Sequence, residues 1–109
     1  MKIEHYVNKA GVDVFLDWFN QLRDKQAKIS IERRIYRLEL GQFGQVKPAR
    51  EGVWELKIDI GAGYRVYYAQ VENTLVLLLC GGNKKSQDTD IDRAISYWKD
   101  YQQRQKERG

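Results

Sequence analysis

The chain has 109 residues, 42% of them hydrophobic, with three Trp, seven Tyr and three Phe. That is enough apolar surface to build one domain over 1–109, and too much for a disordered chain. One histidine and one cysteine exclude an internal disulfide and argue against a zinc site, so no metal or cofactor is expected and a reducing cytoplasm is the natural compartment. The net charge of +4 tilts the partner toward nucleic acid or an acidic protein. No basic tail is present, so folding must assemble any positive site.

Met1-Lys2-Ile3-Glu4-His5 has no apolar stretch behind its lysine, and the longest apolar run is Leu75 to Cys80. Neither a signal peptide nor a membrane span, which needs about 20 apolar residues, is expected. Met1 to Val7 alternates loosely and predicts a short first strand. Phe15, Trp18, Phe19 and Leu22 then recur at helical spacing behind Asp13, a residue suited to a helix N-terminus. A second helix is predicted from about Lys25 to Leu40, with Ala27, Ile31, Ile35 and Leu38 as its apolar stripe and Gly41 as its stop. These helices form an antiparallel pair whose apolar faces require a sheet.

Trp54, Leu56, Ile58 and Ile60 alternate with Glu55, Lys57 and Asp59, the pattern of a half-buried strand. Gly61-Ala62-Gly63 suits a hairpin turn. Pairing Ile60 with Tyr64 places Ile58 opposite Val66, and on the other face Asp59 opposite Arg65 and Lys57 opposite Tyr67. Leu75-Val76-Leu77-Leu78-Leu79 lacks polar alternation and predicts a central strand covered on both faces, ended by Gly81 and Gly82. Ile91, Ala94, Ile95, Trp98 and Tyr101 mark a last helix beginning near Asp88 or Thr89, with polar final turns expected to fray. The order β-α-α-β-β-β-α is that of an α+β domain with a mainly antiparallel sheet, a helical pair and a C-terminal helix.

Lys57, Arg65 and Lys84 are the residues with the clearest chemical potential. The first two share one hairpin face, and Lys84 follows a strand expected to neighbour that of Arg65. Tyr67 is expected beside them, with Arg50 and Lys85 approaching from loops. Guanidinium and ammonium groups stabilise charge on a phosphodiester in transit, and crowding between cations favours a lysine that releases its proton. RNA carries its own nucleophile in the 2′-hydroxyl, so neither serine, cysteine nor metal is required. Asp90, alone among the acids opening the last helix, is placed to reach this face because that helix begins near Lys84. The same residues admit a plainer reading, in which Arg65 and Asp59 form a cross-strand ion pair and the lysines are solvated.

The segments Trp54-Glu55-Leu56-Lys57-Ile58, Gly61-Ala62-Gly63-Tyr64-Arg65-Val66-Tyr67-Tyr68 and Leu79-Cys80-Gly81-Gly82-Asn83-Lys84-Lys85-Ser86-Gln87, followed by Asp90-Ile91-Asp92-Arg93-Ala94, resemble the RelE/HigB-type toxins of bacterial toxin–antitoxin modules. Within that group they are most similar to the phage Gp49-like, or addiction-module killer, branch. The resemblance implies a RelE-like fold and a ribosome-dependent mRNA endonuclease that promotes 2′-hydroxyl attack on the adjacent phosphate. It implies catalytic roles for Lys57, Arg65 and Lys84, RNA contacts at Arg50, Tyr67 and Lys85, and as partners a cognate antitoxin, messenger RNA and the ribosomal A site. The antitoxin is expected to carry an acidic segment and a helix-turn-helix fold. The chain departs from RelE proper in having Glu55 where a second lysine stands, in a longer hairpin, and in having Asp90 or Thr89 in place of a tyrosine; the histidine pair of some HigB relatives is absent. Two other readings stay open: a ParE-like toxin acting on DNA gyrase, and an inactive prophage-derived protein that binds an antitoxin.

Overall fold

Five strands and three helices follow in the order β1 (Lys2–His5), α1 (Val14–Gln21), α2 (Lys25–Glu39), β2 (Val46–Pro48), β3 (Trp54–Ile58), β4 (Tyr64–Val71), β5 (Leu75–Gly82) and α3 (Gln87–Arg108) in the computed structural model, which describes residues 1–109. A single turn of 3₁₀ helix at Lys84–Ser86 links β5 to α3. The sheet order is β1-β5-β4-β3-β2. β1 runs parallel to β5, and every other pair is antiparallel. This is the α+β architecture expected, broadly that of a RelE-like fold, with one strand more than the periodicity showed. β2 escaped notice because its three residues include Pro48 and sit on a sheet edge, where proline is tolerated.

The helix boundaries follow from local chemistry. Asp13 accepts a hydrogen bond from the Leu16 amide at 3.0 Å, and Asp24 does the same for Ala27 at 3.0 Å; each such cap contributes about 1 kcal/mol. Gly41, at φ +80°, ends α2 in the left-handed conformation that glycine adopts without strain. The last helix begins one residue before Asp88 and continues through Arg108 rather than stopping short.

The sheet separates two apolar clusters. On one face Leu56, Ile58, Val66, Tyr68, Val76 and Leu78 pack with Phe15 of α1 and with Ile31 and Leu38 of α2. On the other, Tyr67, Ala69, Leu77, Leu79 and Cys80 pack with Ile91, Ala94 and Ile95 of α3. β5 is buried along its whole length, as its unbroken apolar run predicts.

Two expectations about the hairpin are corrected. Ile58 pairs with Tyr64, Lys57 with Arg65, Leu56 with Val66 and Glu55 with Tyr67, a register displaced by two residues because the connection spans Asp59 to Gly63 instead of three residues. Alternation conserves the face each residue occupies under a two-residue slip, so Lys57 and Arg65 still share a face, now directly opposite one another. That face is also not solvated. Glu55, Arg65 and Tyr67 are 1%, 6% and 0% exposed, because α3 and the turn before it close over them.

A bulge in the β4–β5 ladder between Tyr67 and Tyr68 inverts the alternation of β5. Past it, Gly81 faces α1, where a Cβ would strike the Trp18 ring, and Gly82 faces α3, where a Cβ would strike the Asp90 carboxylate. The absence of side chains here lets both helices approach the end of β5.

Candidate functional site

The last rows of the sheet beneath the start of α3 carry a polar constellation. One row reads Lys47, Glu55, Tyr67, Cys80 across β2 to β5; the next reads Lys57, Arg65, Gly82 across β3 to β5. Arg65 is the centre. Its Nε donates to Glu55 Oε1 at 2.5 Å and its Nη1 to the Gly63 carbonyl at 2.6 Å. Its Nη2 makes no hydrogen bond within the protein, and the side chain is 7% exposed.

Glu55 is held in turn. Gln87, the first residue of α3, donates to both of its oxygens at 3.0 and 3.3 Å, and Lys47 Nζ lies 3.8 Å from Oε2. A carboxylate at this depth tolerates burial only because every side of it meets a donor. The pairing of Arg65 with Asp59 expected from the shorter turn is replaced by this buried pair, and Asp59 instead meets Lys57 at 3.5 Å across a solvent-exposed contact.

Lys57 lies directly across the strand pair from Arg65, and Lys84 stands by Gly63 on the Nη1 side of the guanidinium. The Lys57 side chain is 45% exposed on the neighbouring strand. Lys84 is exposed and rests its Cβ against Gly63, where a glycine Cβ would lie 3.5 Å both from Lys84 Cβ and from Arg65 Nη1. Gly63, at φ +74°, thus brings the hairpin, the guanidinium and the turn after β5 to one point. The three cations singled out in the sequence are assembled together, with Lys85 exposed alongside.

The remaining expected residues fall differently. Arg50 is tied to Asp92 of α3 at 2.9 Å on the surface. Tyr67 is enclosed, so it presents no surface to RNA; its hydroxyl has no hydrogen-bond partner, and burial, followed by the charges of Glu55 and Asp90, raises its pKa well above that of a free tyrosine. Asp90, 4% exposed, accepts from Ser86 Oγ at 2.5 Å and sits over Gly82, on the same face as Arg65 but beneath the chain. His5 lies apart, bonded to Asp13 at 2.7 Å.

Sequence reasoning left four contributors without a role. Glu55 was visible two residues before Lys57 on the same strand face, and that alternation was the signal. Lys47 and Gln87 gave none, because each reaches Glu55 through tertiary pairing. Arg34 of α2 was also unmarked: it donates to the carbonyls of Lys57 at 2.6 Å, Gln45 at 3.2 Å and Phe43 at 3.3 Å, fastening β3 from behind.

Chemically, the arrangement is suited to an anion. Its guanidinium is pre-oriented by two hydrogen bonds, which would avoid reorganisation on binding an anion, and Lys57 and Lys84 belong to the paired strand and the turn beside Gly63. An uncharacterized protein of Haemophilus influenzae is 48% identical to this chain over 80 residues, 73% of this chain and 81% of that protein. The profile of the family described as "Phage derived protein Gp49-like (DUF891)" matches residues 17–97, a span that includes Lys57, Arg65, Lys84 and their supporting residues. The chain belongs to this phage-derived Gp49-like family, which is associated with toxin–antitoxin modules.

Proposed function

We propose that this protein is the toxin of a type II toxin–antitoxin module and that it is a ribosome-dependent, metal-independent mRNA endonuclease. The observation that carries the reading is the Arg65 guanidinium, anchored by Glu55 and Gly63, with Lys57 opposite it on β3 and Lys84 beside Gly63. The Arg65 guanidinium binds the non-bridging oxygens of the scissile phosphate and stabilises the charge that grows on them. The RNA 2′-oxygen forms a bond to phosphorus while the bond from phosphorus to the 5′-oxygen breaks, leaving a 2′,3′-cyclic phosphate and a 5′-hydroxyl. Lys57 takes the 2′-hydroxyl proton or stabilises the attacking oxygen, and Lys84 delivers a proton to the departing 5′-oxygen. The partners in this reading are translating ribosomes and an antitoxin with an acidic segment.

The test is mapping of 5′ ends in cellular RNA after brief induction of the wild type and of a Lys57→Ala/Lys84→Ala variant. Lys57 is half-exposed and Lys84 exposed, so their loss is expected to leave the fold in place. New ends within translated codons that vanish in the variant support the reading. Growth arrest with no new ends rejects it in favour of a non-nuclease toxin such as one acting on gyrase.

A further inference from the structure

The outer face of α2 carries cations that the site above does not use. Arg33 and Arg37, one helical turn apart, are exposed, and neither makes an ion pair. Tyr36 projects beside them with 59% of its surface exposed. Two depressions meet at these arginines. One, of about 450 Å³, is lined by Glu32, Arg33, Tyr36, Arg37, Leu40 and Gln42, two guanidiniums against one carboxylate. The other, of about 300 Å³, is lined by Ser30, Arg33, Arg34, Arg37 and the hairpin start at Asp59.

Arg33, Arg34 and Arg37 all line the second depression. Arg34 is immobilised by three backbone carbonyls, one of them that of Lys57. The one carboxylate in the lining, Asp59, is offset by Lys57 at 3.5 Å. The α2 cations therefore abut, from the opposite side of the hairpin, the same strand that supplies Lys57 to the first cluster. Cations around an exposed aromatic ring match a single nucleic acid strand: phosphates bind the arginines and a base stacks on the ring. An acidic amphipathic helix fits less well. It would need a continuous apolar stripe, whereas the exposed aliphatic residues Ile29 and Leu40 stand eleven positions apart, roughly 16 Å along the helix, with Arg33 between them.

We propose that Arg33, Tyr36 and Arg37 form a second subsite for single-stranded RNA, gripping the strand outside the phosphate-binding cluster. The proposal rests on the reading of RNA as the ligand, but on different residues. It is tested by fluorescence anisotropy with a labelled 2′-O-methyl oligouridine, which has no attacking hydroxyl, titrated at several salt concentrations against the wild type and three variants. Arg33→Ala/Arg37→Ala is expected to weaken binding roughly tenfold or more near 0.1 M salt and to reduce the slope of log affinity against log salt by about 1.4, the value for two phosphate contacts to a single strand. Tyr36→Ala is expected to weaken binding at least about fivefold with the slope unchanged, as loss of one stacked base requires.

Unchanged affinity and slope in the α2 variants overturn the subsite. If the same experiment shows Lys57→Ala/Lys84→Ala losing affinity, the first cluster stands alone. Loss in the α2 variants but not in the lysine variant keeps the subsite and removes the first cluster. Absence of oligouridine binding by the wild type overturns the subsite as well, and poly-glutamate binding that depends on Arg33 and Arg37 would then identify the face as one for an acidic protein.

Discussion

The two faces of the central sheet offer a direct comparison. Beneath α1 and α2 the sheet presents Leu56, Ile58, Val66, Tyr68, Val76 and Leu78, an apolar surface of the kind that stabilises by leaving water. Beneath α3 the same strands present Glu55, Arg65 and Tyr67, and α3 brings Asp90 onto them; all four are buried. A buried ion pair rarely stabilises more than apolar residues of equal volume, because desolvation cancels most of the attraction. Both faces carry an apolar cluster that holds the sheet to its helices, and the face beneath α3 in addition holds a guanidinium in one orientation.

The largest effect expected from breaking this contrast is Glu55→Ala, which leaves Arg65 buried without its carboxylate and should lower unfolding stability by about 4 kcal/mol in a urea titration. Replacing the pair together, Glu55→Leu with Arg65→Met, should restore stability to within about 1 kcal/mol of wild type while abolishing phosphate binding. A double variant as unstable as the single one would show the polar face to be structural after all. On the apolar face, Leu78→Ala should cost about 3 kcal/mol and leave binding intact once folded.

A smaller effect concerns the outer end of α3. Tyr6 donates to Asp100 Oδ2 at 2.6 Å, tying β1's end to that helix. Tyr6→Phe should cost about 1.5 kcal/mol at neutral pH. The hydrogen bond from Tyr6, and then Arg104, hold the Asp100 carboxyl below its ordinary range, so this stabilisation is complete above the usual carboxylate pKa and lost as pH falls through the depressed value. Burial, and then Asp100, push the Tyr6 hydroxyl up to about 12 from 10.0, so on the alkaline side the contribution is complete below 10.0 and fades as pH rises toward 12. Thermal melts across pH should show both limbs flattened in Tyr6→Phe; identical profiles would deny the coupling. The smallest stability change should come from Lys57→Ala and Lys84→Ala, each under about 0.5 kcal/mol, since both ammonium groups stand in solvent.

Much of this arrangement was legible in the chain. Phe15, Trp18, Phe19 and Leu22 announced α1, and the run at Leu75 announced a strand covered on both sides. Apolar alternation in β3 and β4 assigned each residue to a face correctly. It left the register two residues out, because alternation is indifferent to even displacements and the hairpin's true length was hidden in a glycine-rich turn. Glu55 and Tyr67 were the instructive misjudgements. Each occupies a position that alternation marks as outward, and each is enclosed by α3, whose first residue, Gln87, lies 32 positions beyond Glu55.

By itself, then, the sequence determined the type of each long element, the face each side chain takes and the collection of Lys57, Arg65 and Lys84 on one side of a sheet. These follow from periodicity, which operates among residues a few positions apart. The tertiary structure alone decided which charges are neutralised and which stay open: Arg65 is buried against Glu55, Tyr67 is sealed in, and α2 turns Arg33 and Arg37 outward while Arg34 fastens β3. Burial and pairing depend on contacts between distant segments, such as the bond from Tyr6 to Asp100 across 94 residues, and no local pattern encodes which distant segment will arrive.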